Sequence, residues 1–198
     1  MPPQKTHTSA LVVIPPEELW EPIQALRRRY DRKVRRWMPH ITLLYPFRPR
    51  ELFAEVLPVL RAVGARCRPF TLELREFSFF QHGATSHTVW LAPEPKEPLC
   101  ELYSDLVALF PDCSEQSRYP SGFTPHLSVG QFRGSRQQAE AFCRCLSQQW
   151  QPLRFVVSAI VLIARDAPPN DVFEPVATIP FGATESDSAD IPNVPSLS

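Results

Sequence analysis

Pro39-His40-Ile41-Thr42-Leu43 and Pro125-His126-Leu127-Ser128-Val129 are two versions of one pattern. Each sets a histidine two residues before a hydroxyl residue, with aliphatic residues at the alternate positions. Side chains at i and i+2 of a β-strand share a face. His40 and Thr42 are therefore predicted to point one way while Ile41 and Leu43 point the other. His126 and Ser128, backed by Leu127 and Val129, repeat the arrangement. Two such strands side by side bring two imidazoles and two hydroxyls together.

The sequence around the motifs fits a mixed fold. Ser9 to Ile14 reads as a buried strand ended by Pro15-Pro16. A helix is predicted from Pro16 to about Tyr30, with Glu17 and Glu18 in its first turn, where the helix dipole favours them. Ile41 to Leu44 is the first motif strand. Apolar spacing from Glu51 to Val63 predicts a helix, with Gly64 just past its end and Pro58 as a kink or early break. Phe70 to Phe80 and Thr88 to Leu91 read as partnered strands, and Pro98 to Phe110 as a helix with one apolar stripe. A polar loop, residues 111–124, leads into the second motif strand, His126 to about Phe132. A helix capped by Ser135 runs to Trp150, followed by one long strand from Leu153 to Ile163 and a last strand near Val176 to Phe181. This order, with a motif strand between helices in each half, is an approximate internal duplication. It predicts a two-lobed α+β protein with both histidines in the groove between lobes.

Composition sets the bounds. The 198 residues carry 43% hydrophobic and 21% charged side chains, ordinary for a globular chain. One domain over 1–183 is expected, with a disordered tail over 184–198, where Ser, Asp, Pro and Ala offer almost nothing to bury. Formal net charge is zero, so any affinity for phosphate must be local. No apolar run is long enough to span a bilayer, and the N-terminus lacks the apolar core of a secretory signal. Five irregularly spaced cysteines argue for a reducing compartment, cytoplasmic or nuclear, over a disulfide framework. A monomer without membrane partners is expected.

The chemistry follows from the four motif side chains. Imidazole titrates near neutrality, so one can accept a proton while another donates one. Opening a cyclic phosphate needs both at once, a base to activate water and an acid to protonate the leaving ribose oxygen. The hydroxyls of Thr42 and Ser128 are placed to hold non-bridging oxygens. The scheme needs no metal and no cofactor. His7, His82 and His87 lack the motif frame and are predicted on exposed loops. The basic run Arg27, Arg28, Arg29, Arg32, Lys33, Arg35 and Arg36 reads either as a ramp for an RNA backbone or as a solvated helix end. Tyr45, Phe47, Tyr119, Phe123 and Phe132 lie near the motifs and are candidates for stacking on a base.

The paired His-x-Thr/Ser pattern resembles the signature of the 2H phosphoesterase superfamily, which includes 2′-5′ RNA ligase-like proteins and cyclic phosphodiesterases. The resemblance runs from the Ala10-Leu11-Val12-Val13 strand to Pro180-Phe181-Gly182. It implies a bilobal, pseudo-symmetric α+β fold, with antiparallel sheets flanked by helices around a central groove. It implies His40 and His126 as the acid–base pair and Thr42 and Ser128 as phosphate ligands. Where several members carry an arginine three residues beyond the second hydroxyl, this chain has Gln131, a neutral amide that holds a phosphate less firmly and bears on substrate identity. Tyr45, Phe47, Gln131 and Phe132 are the candidate substrate-lining residues. The expected activity is metal-independent cleavage of a 2′,3′-cyclic phosphate or a 2′-5′ linkage in RNA or small nucleotides. The alternative is an RNA- or nucleotide-binding module with little turnover.

Overall fold

A computed structural model of the protein describes residues 4–117 and 122–182. Tyr119 and the tail 184–198 lie outside the described residues. The strands are β1 (Ser9–Val13), β2 (Ile41–Leu44), β3 (Phe70–Gln81), β4 (Ser86–Glu94), β5 (Leu127–Arg133), β6 (Leu153–Val157), β7 (Ala159–Ala164) and β8 (Glu174–Pro180). The helices are α1 (Trp20–Tyr30), α2 (Phe53–Arg66), α3 (Glu97–Leu109) and α4 (Arg136–Gln149). Among the described residues the eight strands form one antiparallel sheet in the order β6-β3-β4-β5-β2-β1-β7-β8.

The two motif strands meet at the centre of that order. β2 joins β5 through a single registered pair, Ile41 opposite Leu127, with four strands on either side. An antiparallel pair has a local two-fold axis, so the seam is also the centre of the molecule's pseudo-symmetry. The chain crosses the seam more than once. β1 and β2 belong to one half, and β3 to β6 build the other. The C-terminal hairpin β7–β8 then returns to complete the first half beside β1.

Alternation along each strand separates two faces. Leu11, Val13, Ile41, Leu43, Leu127 and Val129 join the main core with residues from all four helices, including Ile23, Leu60, Leu102 and Cys143. On the opposite face Ala10, Val12, Val161, Ile163 and Phe173 form a small cluster free of residues from the four helices, with Trp37 and Tyr45 packed on it. Every helix therefore covers one face, and the other stays open for the motif side chains. α4 starts on a reciprocal capping box, with the Ser135 hydroxyl accepting from the Gln138 N–H and the Gln138 side chain accepting from the Ser135 N–H. Such a cap stabilises a helix by about 0.5–2 kcal/mol.

Four expectations change. The long strand from Leu153 to Ile163 is two strands that part at Ser158. β6 pairs with β3 and β7 with β1, at opposite sides of the sheet. The helix through Pro58 does not break; α2 continues to Arg66. Gly64 lies inside it, where a Cβ would come within 2.6 Å of the Pro180 carbonyl oxygen, so it is a close approach of α2 to β8 instead of a cap. His87 is buried in β4 at 1% exposure, against Phe79 and Phe132 on the helix-covered face. It faces the same way as Val89 and Leu91 of the core, two and four residues along the strand. No helix among the described residues is long and apolar enough to cross a membrane.

Candidate active site

Carried one residue each way from Ile41 opposite Leu127, the register sets His40 across from Ser128 and Thr42 across from His126. All four lie on the open face, since Ile41, Leu43, Leu127 and Val129 fill the core behind them. The histidines occupy one diagonal of the resulting rectangle and the hydroxyls the other. Diagonal neighbours on an antiparallel pair stand about 7–8 Å apart, enough for a tetrahedral anion between two imidazoles.

The two histidines are held in the same way. His40 Nδ1 lies 2.7 Å from the Met38 carbonyl oxygen, and His126 Nδ1 lies 2.8 Å from that of Thr124. A carbonyl only accepts, so each Nδ1 carries the proton and each Nε2 is left as the nitrogen that exchanges one. The hydroxyls of Thr42 and Ser128 make no hydrogen bond among the described residues and remain available to a ligand.

Each ring also rests on aromatic neighbours. His40 stacks on Trp37 at 4.7 Å between centroids and 17° between planes, and Trp37 stacks in turn on Phe173 at 3.8 Å. His126 meets Phe80 edge to face at 4.9 Å and lies 5.9 Å from Trp90. Although both histidines keep some contact with solvent, the packed rings desolvate them. Burial pushes the His40 imidazole down to about 4, and the nearby Arg27 and His126 add to the effect against the Met38 bond. His126 is lowered as well, by burial opposed by its bond to Thr124. Both rings are neutral at neutral pH in the absence of an anion.

Behind His40 lies a buried ion pair at the end of α1. Arg27 and Asp31 bond through both Nε and Nη2, at 3.0 and 2.9 Å, with their side chains 2% and 5% exposed. Arg27 also donates to the Trp37 carbonyl, which fixes the segment carrying the ring under His40. Asp31 accepts from the Gln131 side chain, tying α1 to β5.

The lining residues expected from sequence divide. Tyr45 is half-buried on the open face, edge-on to Trp37. Phe47 is fully buried in the main core against Phe110, so it lines nothing. Phe132 points to the helix side, stacked on Phe142 of α4. The register of β5 against β4 slips by one residue between Ser128 and Gly130, which reverses the alternation and turns Phe132 inward. Phe123 likewise stacks on Tyr103 in that core. Gln131 is engaged by Asp31 and Arg32 beside the groove. Trp37, Phe173, Phe80 and Trp90 were not found from sequence. Trp37, three residues before His40, was the nearest to being legible; the others come from separate elements and share no spacing.

The chain is similar to known proteins in sequence and in fold. A model of the 2′-5′ RNA ligase superfamily matches residues 15–169, taking in both motif strands and all four helices. A Geobacillus kaustophilus protein assigned by name to the phosphoesterases is 29% identical over 134 residues, 67% of this chain and 73% of its own length. A Bacillus pumilus protein so named is 29% identical over 126 residues, 61% and 68% of the two chains. Among solved structures, TT0787 of Thermus thermophilus aligns with a TM-score of 0.60 at 20% identity, over 88% of this chain and 98% of that one. Escherichia coli LigT aligns at 0.59 and 18% identity, over 91% and 100%. These likenesses show the same α+β fold. Because the family match spans well over half of the residues and contains both His-x-Thr/Ser strands, the chain belongs to the 2′-5′ RNA ligase superfamily, the 2H phosphoesterases.

Proposed function

We infer that the protein is a metal-independent phosphodiesterase that opens 2′,3′-cyclic phosphates or cuts 2′-5′ linkages in RNA or small nucleotides. The observation that carries this reading is the crossed rectangle of His40, Ser128, Thr42 and His126, with both Nδ1 atoms spent on carbonyls. A phosphate at its centre has an imidazole on each side along one diagonal, the geometry of in-line displacement. The Thr42 and Ser128 hydroxyls then donate to the non-bridging oxygens along the other.

The step balances on these groups alone. One Nε2 takes a proton from water as its oxygen bonds to phosphorus. The bond from phosphorus to a ribose oxygen breaks opposite, and the other imidazole gives that oxygen its proton. The anionic phosphate supplies the charge that lifts one desolvated ring back into its protonated form, so the acid is charged only when substrate is present. Two further observations support the reading. The relatives carry phosphoesterase names, and LigT has been crystallised with 3′-AMP and with phosphate.

The test is incubation of the pure protein with 2′,3′-cyclic mononucleotides and 2′-5′ oligonucleotides in EDTA, with chromatography of the products. A nucleoside monophosphate formed in EDTA is the expected result. Tight binding without product would favour the nucleotide-binding module.

A further inference from the structure

The basic run beside the first motif is not a uniform patch. Arg27 is buried on Asp31, Arg28 reaches Glu21, Arg29 lies over the Tyr30 ring, and Arg35 and Arg36 both hold Asp171. Arg32 and Lys33 are the two members whose side chains have no acidic partner and no aromatic ring among the described residues. Both line a cavity of about 420 Å³, together with His82, His87, Thr88 and Gln131.

That cavity continues the open face. Trp90 pairs with Ser128 on the β4–β5 ladder, and past the slip in register the next rung of the same face is Thr88 opposite Gln131. Two residues along a strand is about 7 Å. The cavity therefore begins within one nucleotide step of the Thr42–Ser128 diagonal. Its donors suit an anion. The Gln131 side-chain oxygen accepts from the Arg32 backbone N–H and from its guanidinium, which holds that cation at the rim. His82 Nε2 lies 2.9 Å from the Thr88 hydroxyl. His87 borders the cavity from β4, with its imidazole turned to the helix-covered face against Phe79 and Phe132. Two unneutralised cations in a chain of zero net charge make this a local attraction for negative charge.

We propose that this cavity is a second phosphate subsite, which takes the phosphate of the nucleotide next to the one held between His40 and His126. The proposal rests on the phosphodiesterase reading and extends it, since it makes the preferred substrate an oligonucleotide and not a mononucleotide. Arg32 supplies a planar fork for two phosphate oxygens, Lys33 a point charge and Thr88 a neutral donor.

The experiment compares KM for a 2′,3′-cyclic mononucleotide with KM for a 3′-5′-linked trinucleotide ending in the same cyclic phosphate. The trinucleotide is expected to show a KM about tenfold lower, the effect of one charge-assisted contact. Arg32→Gln/Lys33→Gln should erase that advantage while leaving kcat and KM for the mononucleotide unchanged. Arg28→Gln/Arg29→Gln, which removes two cations from the same helix end, should preserve it. Equal KM values in the wild type, an advantage that survives in the first variant, or an equal loss in the second would overturn the subsite. Should neither substrate turn over, the phosphodiesterase reading fails, and the subsite is judged by anisotropy with a labelled trinucleotide 3′-phosphate. Arg32→Gln/Lys33→Gln should then weaken binding about tenfold and lessen the slope of log K against log salt by about 0.7, and unchanged binding would overturn it.

Discussion

His40 and His126 are neutral because the rings around them exclude water, and that has consequences in function and stability. His40→Ala or His126→Ala should each lower turnover about 10²–10⁴-fold. The double variant should be little worse than the worse single, because a base without its acid partner completes no cycle. Steady-state kinetics on whichever ester the protein cleaves is the measure, and wild-type turnover in either single variant would refute the pair. The same neutrality sets a pH dependence. In the unfolded chain these imidazoles take up protons near their ordinary 6.5, whereas folded His40 holds out to about 4. The unfolded state thus binds more protons between those limits, so stability is full above pH 6.5 and declines as pH falls toward 4. The urea midpoint should drop from about pH 7.5 to about pH 5, and His40→Gln should flatten part of that slope. A midpoint slope identical in wild type and variant would count against a desolvated His40. At this scale the sequence is most legible, since period-two alternation puts His40 with Thr42 and His126 with Ser128, and only the meeting of the two strands comes from the fold. It was least legible at Trp37, Phe80, Trp90 and Phe173. Those rings converge only once four separate elements are in place, and no local pattern encodes it.

Among the elements, α1 is the one that couples fold to site. Its last turn buries Arg27 and Asp31 together and hands the Trp37 carbonyl to the same guanidinium. Asp31→Asn keeps the shape and removes the charge, leaving a buried cation without its partner. Loss of one member of such a pair costs about 3–5 kcal/mol, measurable by urea unfolding. Replacing both residues together with apolar ones of similar size should recover much of that stability, and a single variant as stable as wild type would mean the pair is not buried in solution. Helices and strands were mostly predictable from apolar spacing. The structure departs from apolar spacing where tertiary contact overrides local signal. Gly64 looks like a helix stop but is small because β8 passes over it. Leu153 to Ile163 looks like one strand because apolar residues run through both parts; β6 alternates buried and exposed while β7 is buried almost throughout, and nothing local marks the break at Ser158.

Across the whole molecule, the two halves are held by more than the single Ile41–Leu127 rung. The end of α1, from the first half, packs on β5 of the second at Gly130, where an added Cβ would lie 2.4 Å from the Tyr30 Cβ and 2.7 Å from its carbonyl carbon. Backbone on that side cannot swing away as a side chain can. Gly130→Ala should therefore destabilise by about 1–3 kcal/mol, the usual cost of overpacking, and should lower turnover too by shifting β5 against β2. Thermal unfolding together with kinetics checks both parts; a neutral change in each would show that the seam is loose. The duplication was legible as element order. The path by which the chain divides itself between halves was not, because pairing partners distant in sequence leave no local trace.

That path bears on how the protein is made. Among the described strands β1 is made before the others, yet one of its two neighbours, β7, is translated after all the described helices and six of those strands. Until then β1 presents an apolar, unpaired edge, the kind that templates pairing with another chain. A ribosome stalled so that β6 has cleared the exit tunnel while β7 is still inside it should hold a nascent chain whose second half is protease-resistant and whose first half is still cut. In living cells β1 would then wait longest for shelter, and the demand for chaperones would fall on that strand until β7 is made.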